Sequence, residues 1–420
     1  MRVGIAGAGA AGLATAWLLD GVHDTLLLET RRDVGGNLRS VHPPAGSGTP
    51  TALDLGVQEV PLHLAGLTRR LADALGLDSG QWTRVPADRT IIRDGTSARR
   101  RADGAGTAHR GTGESSAHAA DLLAKHAASW QRDDLAWIVR LEEVVEPWDL
   151  PRHVKDEAVY ALPASVFGCT LLDARRLSAR AVGAFYADRG DGADARTYRL
   201  RGGMQALAWQ LARQCRSARL VPGAALRRVR RTAGRLEMID GHGARHAVDA
   251  VVLALPAEAA RCVLGSLGGA GRTQALLSTY TYRDLVYGVH EDPCYLPADR
   301  ERWTPSTVTV HGPWAETTTW RARPGGDLFV SQLTHRGTLP RTVLATTAFR
   351  TPQPTPQMLS AQAELLSLQG EGGVYFAGHT TTRVDDLDSS LASAVAVARL
   401  LAPDSPRLAR LAGTTGKEAP

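Results

Sequence analysis

An α/β fold built on a parallel sheet, with an α+β portion inserted into it, is what this 420-residue sequence predicts. Three observations carry the prediction. The first 29 residues read strand, glycine-rich turn, apolar helix, strand and acid; short apolar strands recur far downstream around 219–253 and 373–378; and the stretch between 276 and 344 changes to the Thr, Val and Trp usage of a mostly β segment.

Arg2 to Ala6 is the first buried strand. Gly7-Ala8-Gly9-Ala10-Ala11-Gly12 is a tight turn and Leu13 to Leu19 an apolar helix start, before a second strand, Thr25 to Leu28, ends at Glu29. Each residue has a physical task. Gly7 permits the turn, Gly9 lets backbone N–H groups approach a pyrophosphate, and Gly12 lets helix and strand pack closely. The helix N-terminus supplies positive potential to the phosphates. Glu29 lies about 20 residues past the turn, the spacing at which an acid holds ribose hydroxyls. A Rossmann-like dinucleotide-binding unit is therefore expected at the N-terminus.

From about Thr90 to Ala120 the text turns to Gly, Ser, Thr, Arg and Ala, as in Gly104-Ala105-Gly106-Thr107, and predicts a mobile loop or insertion. Asp121 to Leu141 returns to helical spacing and opens a helix-rich stretch to about Phe185. Arg201-Gly202-Gly203-Met204 introduces a helix over Gln205 to Cys215. Strands follow at Arg219 to Val221, Ala225 to Arg230, Arg235 to Ile239 and Val248 to Leu253. The close is a strand ending at Gly378, a polar turn, a helix from Ser390 to Leu401 with Asp388, Ser389 and Ser390 as candidate caps, and a disordered tail over 404–420.

Composition excludes other classes. The net charge of +6 comes from scattered arginine, since only Lys125, Lys155 and Lys417 are lysines, and no nucleic-acid motif accompanies it. No run approaches a membrane span and no export signal opens the chain, so a soluble, cytoplasmic protein is expected. Cys169, Cys215, Cys262 and Cys294 are too widely spaced for a metal knuckle and are expected to be buried and inert; no metal site is expected.

Beyond Glu29, the run Thr30-Arg31-Arg32-Asp33-Val34-Gly35-Gly36-Asn37-Leu38-Arg39 resembles the second phosphate loop of the flavin amine oxidase and phytoene desaturase-like superfamily. That superfamily usually has arginine where Asn37 stands, leaving Arg32 or Arg39 as substitutes. Asp54-Leu55-Gly56-Val57-Gln58 resembles its Asp-x-Gly segment near the flavin, and Arg201-Gly202-Gly203-Met204 its Lys/Arg-Gly-Gly-Met segment. Leu226 stands on the strand that packs beside the adenine, Ala254-Leu255-Pro256 resembles the end of the next core strand, and Phe376-Ala377-Gly378-His379 with Ser390 and Leu391 the segment that holds the ribityl and isoalloxazine. Within the superfamily the sequence is most similar to bacterial predicted NAD/FAD-binding proteins, departing from them at Leu387-Asp388-Ser389-Ser390.

The resemblance implies a glutathione-reductase-like FAD-binding domain from 1–60, 197–270 and 345–403, with a substrate-binding domain from 61–196 and 271–344. FAD would be non-covalent, since no cysteine follows Cys294. Candidate catalytic residues are His290, Glu291 and Trp303, with Tyr282, Tyr287, His311, Trp314 and Trp320 as further pocket candidates. No lysine lies between Lys155 and Lys417, so the lysine that sits beside flavin N5 in amine oxidases is missing unless Arg283 replaces it. The expected reaction is dehydrogenation or desaturation of a small lipophilic or specialised metabolite, with O2 or another electron acceptor. An amine or amino-acid oxidase, a non-redox flavin isomerase or mutase, and a non-catalytic FAD-binding protein are the alternatives.

Overall fold

The computed structural model describes residues 1–43, 52–61, 66–77, 79–85, 89–93, 96–100, 112–187, 197–323 and 326–412. A five-stranded parallel sheet runs in the order Val374–Phe376, Ala250–Leu253, Arg2–Ala6, Asp24–Glu29, Arg219–Pro222. Its inner strands are near-continuous apolar runs because both faces are covered. Val3, Ile5, Leu27 and Val252 face the helices Ala10–Leu19, Gln205–Gln214 and Leu387–Leu401. Ala6, Leu26, Leu28, Val251 and Leu253 face an antiparallel meander, Leu226–Thr232, Arg235–Asp240 and Arg245–Val248, and the helix Ala257–Val263.

A seven-stranded sheet runs Val343–Pro352, Tyr282–His290, Leu328–Gln332, Trp314–Arg321, Ser306–His311, Arg89–Arg93, Thr96–Arg100. One face packs against the rest of the molecule: Val289, Leu328, Val330 and Phe349 meet Leu53 and Leu55, while Val308, Val310 and Ala315 meet the helical region around Ala161–Phe167. Register places His290 beside Phe329 and Phe329 beside Trp320 on the opposite, outer face.

Several expectations are corrected. Part of the stretch read as a mobile loop is a strand pair, Arg89–Arg93 with Thr96–Arg100, and a helix, Thr112–Arg132; Gly104 to Thr107 lie outside the described residues. Small, polar composition hid the helix's first half, although its Ala119 continues the apolar stripe of Leu123, Ala127 and Trp130 that neighbouring helices cover. The expected helix over Asp121 to Leu141 ends at Arg132, where Asp134 at φ 53° turns the chain and the Leu135 N–H returns to the Trp130 carbonyl at 3.0 Å.

The strand read over Val248 to Leu253 breaks at Asp249, whose carboxylate accepts the Arg2 N–H at 2.7 Å. The tail is not wholly unstructured, since Pro406–Ala412 is a helix whose Leu408 and Leu411 are buried. Cys262 and Cys294 are exposed, against the expectation for all four cysteines. A boundary at 345 would also cut the strand Val343–Pro352, which pairs along Tyr282–His290 in the second sheet.

Candidate functional site

The carboxyl edge of the parallel sheet carries two glycine loops in contact. Gly9 and Gly35 form a parallel bridge, and the Gly35 N–H donates to the Ala8 carbonyl at 2.8 Å. Sterics fix the glycines. A Cβ on Gly12 would stand 1.8 Å from the Gly7 carbonyl oxygen, and one on Gly36 2.9 Å from the Gly9 Cα. Gly9 is different: a Cβ there would meet nothing nearer than 3.8 Å, so its missing side chain leaves room at the mouth of the helix Ala10–Leu19. That helix has no side-chain cap. The space and the uncapped amides fit a pyrophosphate. Glu29 closes the strand next door, its carboxylate accepting the Ala8 N–H at 2.6 Å and the Arg31 N–H at 2.9 Å. Thr30 and Arg31 themselves are exposed.

Asn37 contributes backbone rather than charge. Its carbonyl accepts the Val57 N–H at 3.2 Å, and a Cβ on Gly56 would lie 2.1 Å from that oxygen. Arg39 lies next to the loop, with one guanidinium nitrogen 3.4 Å from the Gly36 carbonyl and another bonded to Thr347. Below this hairpin, the buried Asp54 accepts from Ser40 Oγ at 2.5 Å and from the Met204 N–H at 2.7 Å, tying Asp54–Gln58 to the Gly202-Gly203 segment. Burial pushes the Asp54 carboxyl up to about 6 despite those bonds and the positive charge of Arg321 and Arg199.

The third contribution is the end of the strand Val374–Phe376. Gly378, at φ 85°, lies against Ala11 on the first helix, and its N–H donates to Ser393 Oγ at 2.7 Å. The helix Leu387–Leu401 starts three residues before Ser390. Its cap is Asp386, which accepts the Ser389 N–H at 2.6 Å, while Asp388 accepts from the Thr68 N–H at 2.7 Å. The caps expected at Asp388, Ser389 and Ser390 are thereby corrected. Leu38, Leu226 and Leu391 have core-packed side chains, so these positions can offer a cofactor only backbone or a grazing contact.

His379 turns away from the glycine loops. Its Nε2 is 2.7 Å from the Tyr282 hydroxyl, which also accepts the Ala257 N–H at 2.8 Å. The Tyr282 hydroxyl thus joins the His379 ring to the start of the helix Ala257–Val263. Burial lowers the His379 pKa, and burial raises that of the neighbouring Asp385.

Over residues 10–282 the sequence matches the family described as flavin containing amine oxidoreductase. The chain belongs to this family. It is a flavin-dependent oxidoreductase, and the glycine cradle, the Glu29 acid and the uncapped helix suit a flavin dinucleotide. Solved structures with the same fold include a CLA-producing fatty acid isomerase from P. acnes, 14% identical with TM-score 0.70 over 96% of this chain and 98% of that one. Cyclohexylamine oxidase from Brevibacterium oxydans is 14% identical, TM-score 0.68, over 95% and 99%. Wild-type putrescine oxidase bound to putrescine is 15% identical, TM-score 0.66, over 96% and 99%. No curated protein matches the chain by sequence.

The expected catalytic trio lies off the sheet's inner face: His290 and Trp303 meet on the Phe329 ring of the outer face. His290 is buried on the outer face of the second sheet, with Nε2 2.8 Å from Ser331 Oγ and its ring stacked on Phe329. Glu291 is exposed and faces Arg323 at 3.4 Å, so His290 and Glu291 are not an acid/base pair. Trp303 donates to the Pro297 carbonyl at 2.7 Å and packs edge-on against Trp320 and Phe329. His311 and Trp314 share that outer face, bonded to Glu316 and stacked on His335. Strand alternation sends His290, His311 and Trp314 to the face away from Leu53 and Leu55, and Trp303 packs onto that face from the loop before the strand Ser306–His311.

The inner face carries Tyr287, Thr317, Thr319 and Gln332 and, opposite Leu328, the buried Arg321, 3.7 Å from Glu59. Thr319 Oγ1 donates to Gln58 Oε1 at 2.9 Å, and Gln332 Oε1 accepts the Thr317 N–H at 2.7 Å. Burial pushes the Tyr287 phenol up to about 12. Sequence reasoning found Gln58 and Tyr287 but missed the Thr and Gln partners. Period-two parity from Val289 would have marked them, had the pairing register been known. Arg283, the suggested stand-in for lysine, is held by Asp173 at 2.9 Å, and Lys155 by the Glu146 carbonyl at 2.7 Å.

Proposed function

We propose that the protein binds FAD non-covalently and removes hydride from a C–H bond of a small lipophilic or specialised metabolite, as a dehydrogenase or desaturase. The observation that carries this reading is the make-up of the second sheet's inner face: Tyr, Phe, Thr, Gln and aliphatic side chains with one buried arginine, Arg321, paired to Glu59, and no lysine anywhere from residue 156 to 416. Such a wall can orient a substrate C–H and exclude water, and it offers no lysine to an amine-oxidase mechanism.

FAD supplies the two-electron acceptor when bound. In this proposal Gly7, Gly9, Ala10, Ala11 and Gly12 hold the pyrophosphate with Gly35 and Gly36, while Glu29 takes the ribose hydroxyls. Gly56, Val57, Gln58 and Gly378 border the isoalloxazine. The FAD-binding domain would comprise 1–60, 197–270 and a third piece beginning after Pro352 rather than at 345. The substrate domain would be the remainder up to that strand. No helix among the described residues is long and apolar enough to cross a membrane.

The test is anaerobic flavin bleaching by the purified yellow holoprotein. Bleaching by saturated lipids or polyketide-like compounds, and not by amines, is the expected result. Rapid bleaching by primary or secondary amines would replace it with the amine-oxidase reading, and a product of unchanged mass would make the enzyme an isomerase.

A further inference from the structure

Arg321 is a buried cation most of whose donors are unused. Only 9% of its side chain is exposed, and burial pulls its pKa down to about 9, so it stays charged at neutral pH. Its pairing with Glu59 is incomplete. The nearer carboxylate oxygen is 3.7 Å from Arg321 Nη1, beyond hydrogen-bond range, while Arg199 Nε at 3.2 Å and Thr197 Oγ1 at 2.9 Å donate to that carboxylate. Nη1 also reaches the Trp320 carbonyl at 3.4 Å, which leaves Nε and Nη2 without a partner among the described residues.

The place of these donors gives them a use. Arg321 follows Thr319 by two residues on the strand Trp314–Arg321, so the two side chains leave one face about 7 Å apart, and Thr319 holds Gln58, the residue before Glu59. The fork therefore stands one pleat from the side chain that borders the isoalloxazine in the dehydrogenase reading. A guanidinium has donors and no acceptor, so the group that completes it must bring an acceptor oxygen, which an ammonium head lacks. Charge narrows the choice. Arg199 and Arg321 already face two acids, Glu59 and Asp54, and Asp54 is ionised above a pKa of about 6. A third negative charge would enter a buried cluster that is already balanced, whereas a carbonyl oxygen accepts the same hydrogen bonds without one.

We propose that Arg321 is a specificity-determining residue of the substrate site and binds the carbonyl oxygen of a neutral ketone-bearing substrate through Nε and Nη2. The inference rests on the dehydrogenase reading for where the substrate lies, and it names that substrate's class.

The experiment is titration of the oxidised FAD holoprotein at pH 8 with acetophenone, benzoate and benzamidinium, read as a perturbation of the flavin's visible absorbance. These planar probes share one shape, and their heads are a neutral acceptor, an anion and a donor-only cation. Acetophenone should bind about tenfold tighter than benzoate, with benzamidinium weakest. Arg321→Leu should erase the preference for acetophenone, and because Glu59 keeps Arg199 and Thr197 its remaining contacts survive. Arg321→Lys retains the charge without the fork and should lose most of the preference as well. A structural role would weaken all three probes alike in both variants, and that outcome overturns the proposal. So do benzoate as the tightest probe, equal binding of acetophenone and benzamidinium, no perturbation by any probe, or a preference that survives in Arg321→Leu. The titration needs no turnover, so its failure is separable from bleaching by amines, which would overturn the dehydrogenase reading itself.

Discussion

The two sheets place their important residues by different physics. At the edge of the parallel sheet the positions that matter are glycines held by backbone contact: Gly12 against the Gly7 carbonyl, Gly36 against Gly9, Gly56 against the Asn37 carbonyl. In the second sheet they are side chains whose destination depends on a face, and His290 and Val289, adjacent in sequence, end on opposite sides of it. A glycine motif therefore keeps its meaning wherever the sheet is built. A polar strand residue acquires one only after pairing.

The largest expected effect sharpens this contrast within a single loop. Gly9→Glu puts a carboxylate into the open space beside Gly36, so the chain should fold and yet emerge colourless, which absorbance near 450 nm checks after FAD is added. On the outer face the reverse is expected. His290→Ala should leave the flavin in place and lower stability by about 2–4 kcal/mol in chemical denaturation, the range for a vacated core site. If it instead removes colour, the face assignment is wrong.

A smaller test uses pH. The Asp54 carboxyl sits near 6 in the folded protein against an ordinary value of 3.8. Between those values the unfolded chain gives up its proton first, so this residue destabilises the fold as pH rises, by about 3 kcal/mol once pH exceeds 6. Asp54→Asn keeps an acceptor for Ser40 and Met204, and should flatten the stability profile between pH 4 and 6.

Glu29→Ala should weaken FAD by about 1.5–3 kcal/mol, since charge-assisted ribose bonds are lost, readable as a shift in apparent Kd by flavin fluorescence. The smallest effect belongs to Glu291→Gln. An exposed carboxylate 3.4 Å from Arg323 should change stability by under about 0.5 kcal/mol and flavin binding not at all.

How much was legible follows the same division. The strand–turn–helix–strand unit at the N-terminus, the second glycine loop and the strand before Gly378 were readable because local sterics demand those residues in any context: φ 96° at Gly7 and φ 123° at Gly35 are backbone requirements carried by the residue type itself. Of the helix Thr112–Arg132 the half from Asp121 was readable from its spacing, and the half before it was not, because small residues such as Ala119 and Ala120 become core only when neighbouring helices close over them. Nor was the fate of His290 and Trp303. Their chemistry suggests a pocket, but the alternation of the strand Tyr282–His290 turned His290 outward onto Phe329, and Trp303, in the loop before Ser306–His311, packs on that same face against Phe329 and Trp320.

The sequence alone determined that two glycine loops and an acid would meet at one sheet edge, since glycine at a forced backbone angle and an acid at a fixed spacing are local facts. Tertiary structure decided which side chains face that edge. Thr319 on Gln58, Tyr282 on His379 and Arg383 over Trp137 join residues separated by 261, 97 and 246 positions. No local preference encodes such contacts, because they exist only once register and packing have chosen a face.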